Sequence, residues 1–144
     1  MRLALEEAKL AAARDEVPVG AVLVHEPSQE IITQAGNRTR ELKDPTAHAE
    51  ILTIREACKI QDAQRIPNTI LYVSLEPCSM CTTAISFARI ERLVFGASDP
   101  KGGGVIHGTK FYEQPTCHWK PKVEYGLFAD ECGQILKDFF RSKR

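Results

Sequence analysis

Four residues carry the chemistry available to this chain: His48, Glu50, Cys78 and Cys81. They sit in two short motifs about 30 residues apart, Ala47-His48-Ala49-Glu50 and Glu76-Pro77-Cys78-Ser79-Met80-Cys81. Cysteines three apart project from one face of a helix and can share one metal ion. Thiolate and imidazole together suit zinc in a tetrahedral site. A helix N-terminus favours thiolate, which lowers the cost of deprotonating the two sulfurs. A structural zinc takes four protein ligands, whereas a catalytic zinc takes three and keeps a place for water. The motifs supply three, so the spacing predicts a catalytic site that makes hydroxide available near pH ~7.

Glu50 lies two residues beyond His48, near the metal but on a different bearing. A carboxylate there can take a proton from water and pass protons to a ring nitrogen and a departing amine. The implied reaction is hydrolytic loss of an exocyclic amine from an electron-poor ring. The alternative is a structural zinc completed by Cys58, Cys117, Cys132, His107 or His118. That alternative leaves Glu50 and both helix starts without a purpose.

Elements of matching period must position these residues. Residues 3–14 are rich in helix formers, with Leu3, Leu10 and Ala11 able to form an apolar face. Residues 20–24 and 31–35 read as a hairpin around the turn Glu26-Pro27-Ser28. Residues 47–60 read as a helix with Ala47, Ile51, Ile54, Ala57 and Cys58 on one face and Thr46 as its cap. Residues 68–76 form a strand, Pro77 begins a helix over 78–89, and residues 92–97 form another strand. Gly102-Gly103-Gly104 marks a tight or flexible loop, and residues 128–142 a last amphipathic helix. Alternating strands and helices predict an α/β layered sheet, antiparallel at first and parallel later. Cys58 and Cys132 are expected to pack as small core residues.

The chain of 144 residues suits one domain spanning 1–144. It has no apolar run long enough for a membrane span, and no secretory leader is recognisable. Five cysteines, an odd number, argue against a disulfide framework and for a reducing, cytoplasmic setting. Net charge is zero, yet residues 101–144 hold 8 Lys and Arg against 5 Asp and Glu, and three of the cations fall in Arg141-Ser142-Lys143-Arg144. Such a local patch suits phosphates, although cations also suit a helix C-terminus.

The joined pattern His-x-Glu and Pro-Cys-x-x-Cys is the signature of zinc nucleobase deaminases. Further stretches sharpen the likeness: Val17 to Val24, Asn37-Arg38, Asp44 to Ile51, Leu71 to Cys81, Val94 to Ala97, Ala129 to Cys132 and Asp138 to Arg144. Over nearly its whole length the chain resembles the bacterial tRNA-specific adenosine deaminases of the cytidine deaminase-like superfamily. The resemblance implies a three-layer α/β/α fold around a mixed five-stranded sheet, and a homodimer. It also implies conversion of adenosine to inosine at the wobble position of a tRNA, typically an arginine tRNA, read through the anticodon stem-loop. Residue by residue, it implies one Zn2+ per subunit on His48, Cys78 and Cys81, with Glu50 as the proton shuttle. Asn37, Ala49, Pro77, Asp99, Lys101, Phe140, Arg141 and Arg144 match substrate-contacting positions. An anticodon loop presents unstacked bases, for which Phe139, Phe140, Tyr112 or Trp119 offer stacking surfaces. The chain departs from the common pattern at Thr82-Thr83-Ala84 and over Gly102–Pro121. Two rival readings share the zinc motifs: a deaminase of free guanine, cytosine or cytidine, and a non-catalytic zinc-containing RNA-binding module.

Overall fold

The computed structural model describes all 144 residues. Helix α1 (Arg2–Ala13) leads into the hairpin β1 (Gly20–His25) and β2 (Glu30–Gly36). Helix α2 (Ala49–Gln61), strand β3 (Thr69–Leu75), helix α3 (Ser79–Phe87) and strand β4 (Arg92–Ala97) follow. A single 3-10 turn (Phe111–Glu113), strand β5 (Lys122–Tyr125) and helix α4 (Ala129–Ser142) complete the chain. The expected helices and four expected strands all form. The residue pattern places no strand at β5, although the resemblance implies a fifth strand.

The sheet order is β2-β1-β3-β4-β5. β1 runs antiparallel to both β2 and β3, while β3, β4 and β5 are parallel. This is the mixed sheet expected. The period-two alternation of buried strands divides its two faces. Ala21 and Leu23 of β1 join Leu71, Val73, Leu93 and Phe95 under Ile54 and Ala57 of α2 and Ile85 of α3. Val22 and Val24 face the other way, against Ala4 of α1. Cys132 of α4 packs with Leu5 and Ala97. Helices therefore cover both faces, giving the α/β/α layers. Phe95 stacks on Tyr125 at 5.3 Å and ties the edge strand β5 to β4.

The strand directions decide where chemistry can gather. β2, β3 and β4 all point the same way, so their carboxyl ends lie along one edge of the sheet. The residues that follow those ends are Asn37, then Pro77-Cys78, then Asp99 and Lys101. Ligands in open α/β sheets bind outside the carboxyl ends of strands.

Two helix starts differ from expectation. The cap of α2 is His48, not Thr46, because His48 keeps an extended backbone (φ −73°, ψ 152°) and the helix begins at Ala49. Thr46 is instead fastened to Asp44, whose Oδ1 accepts from its N–H and its hydroxyl. Pro77 is not the first helical residue; Cys78 caps α3 with extended geometry and Ser79 begins it. Both shifts place a metal-ligating residue at a helix cap.

Candidate active site

α2 and α3 each present a cap residue and a first turn at the sheet's carboxyl edge. His48 caps α2, Cys78 caps α3, and Cys81 lies in the first turn of α3. The α2 start is held by a partner far away in sequence: Asn37 Oδ1 accepts the N–H of Ala49 at 2.7 Å. The α3 start is closed by Thr82 N–H donating to Cys78 O at 2.9 Å.

His48 Nδ1 lies 3.6 Å from Cys78 Sγ and 3.5 Å from Cys81 Sγ. With a Zn–S bond of about 2.3 Å and a Zn–N bond of about 2.0 Å, a tetrahedral S–Zn–N edge measures about 3.5 Å. His48 Nδ1 thus already stands from both sulfurs at the spacing that one zinc ion requires, and all three donor atoms lie within 4.8 Å of one another. No other His, Cys, Asp or Glu joins this cluster. Cys58 Sγ is directed at Gln64 O, Cys117 Sγ at Trp119 O, and Cys132 is buried under β4. The His107 ring is committed to Glu76, and His118 is exposed. A four-ligand structural site has no fourth donor here. Of the two cysteines expected in the core, Cys132 is fully buried and Cys58 packs half-buried at its margin.

The electrostatics suit a cation. Without a metal, Cys78 is drawn down to about 4, chiefly because its sulfur accepts from the Cys81 thiol and further because it accepts from His48. His48 is raised by that bond to Cys78, against the opposing effect of burial. Cys81 is raised, mostly by its contact with the Cys78 sulfur. The Cys78 sulfur thus accepts from both neighbours, and a divalent ion held by the three residues would take the place of those protons.

Glu50, in the first turn of α2, is buried, and its Oε2 has no hydrogen-bond partner. Burial pushes its carboxyl up to about 7, near the pH at which a proton carrier works best. Native structures rarely leave a buried carboxylate oxygen unpaired, and such an orphan beside a metal site marks a group awaiting its reactant.

The other positions expected to touch substrate fall into two groups. Asn37, Ala49 and Pro77 are buried around the metal cluster. Pro77 O accepts from Gly104 N–H at 2.8 Å. Lys101, Phe140, Arg141 and Arg144 come together in a concavity of about 690 Å³, with Leu136, Lys137 and Lys143. Asp99 stands at the base of the Lys101 loop, where its Oδ1 accepts from the N–H of Lys101 and of Gly102.

Among the aromatic residues, Phe140 is 47% exposed. Tyr112 is instead core, its hydroxyl donating to Thr82 O at 2.9 Å. Trp119 is pinned by its Nε1 donating to Ile90 O. Tyr112 offers no free stacking face, while Trp119 is half-buried with the Arg89 guanidinium over its ring at 5.9 Å. Sequence reasoning missed Lys137, which a four-residue step from Arg141 would have flagged. It also missed Glu76, whose role depends on partners more than 20 residues away.

The family model for the cytidine and deoxycytidylate deaminase zinc-binding region matches residues 1–97, a span that includes His48, Glu50, Cys78 and Cys81. A tRNA-specific adenosine deaminase of Agrobacterium fabrum is 58% identical over all 144 residues, which cover 93% of that protein. A solved structure from work on A-to-I editing by tRNA:A34 deaminases at the wobble position of transfer RNA superposes with a TM-score of 0.92 at 57% identity. That match covers 94% of this chain and 97% of the other. A guanine deaminase from Nitrosomonas europaea superposes with a TM-score of 0.83 over 96% of this chain and 81% of its own; at 23% identity it speaks for the fold alone. The chain belongs to the tRNA-specific adenosine deaminases, within the family defined by the cytidine and deoxycytidylate deaminase zinc-binding region.

Proposed function

We propose that this protein hydrolyses adenosine to inosine at the wobble position of tRNA, releasing ammonia. The observation that carries the chemistry is the three-donor cluster of His48, Cys78 and Cys81 beside the unpaired, buried Oε2 of Glu50. Zinc, when held by those three residues, supplies Lewis-acid activation of water. Glu50 takes one proton from the attacking water and delivers it to ring N1; it then takes the proton of the hydroxyl newly formed on C6 and gives it to the exocyclic amine, so that the C6–N bond breaks, C6 becomes a carbonyl and ammonia leaves. Asn37 has its carbonyl oxygen committed to Ala49 and offers its amide NH2 to the flipped base. Ala49 and Pro77 wall the base pocket from the two helix starts.

The substrate reading rests on full-length identity to tRNA-specific relatives and on the basic concavity. Lys101, Lys137, Arg141, Lys143 and Arg144 suit phosphates, with Phe140 for stacking. The substrate is an anticodon stem-loop, with an arginine tRNA preferred. The working form is a homodimer, with residues 1–144 as one deaminase domain in each subunit. An apolar groove lined by Ile51, Ile54, Ala84, Phe87 and Ala88 supports it, since Phe87 is 67% exposed on the α2–α3 face. No helix is long and apolar enough to cross a membrane, and we place the enzyme in the cytoplasm beside its substrate. The test is incubation with a panel of tRNA transcripts, with inosine read by sequencing, and with free adenosine, guanine and cytidine as controls. Inosine at the wobble position alone supports the reading. Turnover of a free base or nucleoside without RNA turnover refutes it.

A further inference from the structure

Glu76 directly follows β3, two residues before Cys78, and the reaction above makes no use of it. Its side chain is wholly buried (0% exposed). Oε1 accepts the N–H groups of Val105, Ile106 and His107 at 3.2, 2.9 and 3.1 Å. Oε2 accepts the N–H of Asp99 at 2.8 Å and meets His107 Nδ1 at 2.9 Å. One carboxylate thus gathers five donors from a single loop, the one that leaves β4 and carries Asp99 and Lys101. The loop closes on it without slack. A Cβ added to Gly103 would stand 2.3 Å from Glu76 Cδ and 2.6 Å from Asp99 O. One added to Gly104 would stand 2.8 Å from Ser79 N. Those glycines bring the loop backbone against the segment that presents Cys78.

We propose that Glu76 is a positioning residue for RNA: it locks the Asp99–His107 loop to the metal-bearing turn, so that Lys101 faces the cations of α4 at a fixed offset from the zinc site. This rests on the reading that the basic concavity takes RNA. Glu76 touches neither substrate nor metal, so its loss acts on substrate engagement while the metal chemistry continues. His107 Nδ1 adds a side-chain donor to the same carboxylate from a segment where the sequence departs from the common family pattern.

Two variants reach the contact from opposite sides. Glu76→Gln keeps the side-chain volume; its oxygen can serve the three N–H groups at Oε1, but its NH2 leaves the Asp99 N–H without an acceptor. Gly103→Ala pushes the loop off the carboxylate and leaves the Glu76-Pro77-Cys78 stretch unaltered. The holoenzyme forms are assayed for zinc content, for kcat and KM on an anticodon stem-loop, and for amide exchange across the loop. Both variants are expected to keep their zinc and exchange faster at Asp99. Their KM should rise roughly tenfold or more while kcat stays within about threefold. A general loss of structure would instead lower zinc content and kcat together. The proposal is overturned if Gly103→Ala leaves KM unchanged although the Asp99 amide is released, or if either variant loses kcat and zinc with KM unaltered. Wild-type turnover of the stem-loop, measured alongside, tests the RNA reading separately: an inactive wild type sinks that reading, an active wild type with unaffected variants sinks this one.

Discussion

Glu50→Gln removes the one group in the site that can move protons. The structure offers no substitute. Glu76 is saturated by five donors, and Asp99 Oδ1 already accepts two N–H groups of its own loop. His48 Nδ1 is committed to the metal cluster. The full contribution of general acid–base catalysis is therefore lost, about 10²- to 10⁴-fold in kcat. At about 1.4 kcal/mol per decade, that is roughly 3–6 kcal/mol of transition-state stabilisation. Folding responds differently. Oε2 makes no hydrogen bond and burial opposes its charge, so the substitution breaks no bond at that atom and removes a buried carboxylate. The variant should bind zinc as wild type does and melt at an equal or higher temperature. The assay is single-turnover inosine formation on a stem-loop, with metal analysis and a thermal melt on the same sample. More than a tenth of the wild-type rate, or loss of zinc, or a clear fall in melting temperature would refute the reasoning.

Three further outcomes follow from other parts of the molecule. Chelation should abolish turnover but leave far-UV circular dichroism unchanged, because the 16-residue core cluster contains neither His48 nor Cys78. The melting temperature should then fall by on the order of 10 °C, the linkage expected of a tightly bound ion. Replacing Lys137 and Arg141 by Ala should weaken RNA binding at every salt concentration and flatten its dependence on log salt by about 0.7 per lost phosphate contact, with kcat at saturation preserved. Burial alone would raise Glu16, but the N–H groups of Glu41 and Arg40 and the Thr39 hydroxyl outweigh it and hold its carboxyl below the usual value. A lowered carboxyl contributes stability above its unfolded value and loses it as pH falls through the folded one. Glu16→Gln should therefore cost about 1–3 kcal/mol near neutral pH. In urea melts from pH 7 to pH 3 the gap from wild type should close below the ordinary Glu value of about 4.3.

How much of this was legible in the sequence depends on how local each feature is. The zinc ligands were legible because a three-residue step on a helix is local geometry, and His48 and Glu50 lie in one turn. The buried strands were legible from their apolar runs. β5 was not: Lys122-Val123-Glu124-Tyr125 is short, lies at the sheet edge and exposes most of its side chains, so its pattern is that of a loop. The helix caps moved for a non-local reason. Thr46 has the chemistry of a cap, but the α2 start is satisfied by Asn37, twelve residues upstream, and that frees His48 to take the extended backbone that turns its ring to the metal.

The same distinction explains the division of labour at the sheet's carboxyl edge. Chemistry that every zinc deaminase must perform sits on the first turns of two helices, where geometry follows from the chain's own local rules. On the proposed reading, choice of substrate falls to pieces that only the fold brings together: the β4 loop with Lys101, and the last turns of α4 with Lys137, Phe140, Arg141 and Arg144. Those pieces have no fixed sequence spacing, so their relation to the zinc site must be imposed by contacts across the fold. The loop is held by Glu76 and by the close approach of Gly103. The tail is held by Lys143, which pairs with Asp15, a residue that also pairs with Arg40 of the loop after β2. Exposed ion pairs of this kind contribute little to stability. Their use is orientation, and they let substrate preference change by substitution at the edge while His48, Glu50, Cys78 and Cys81 stay as they are.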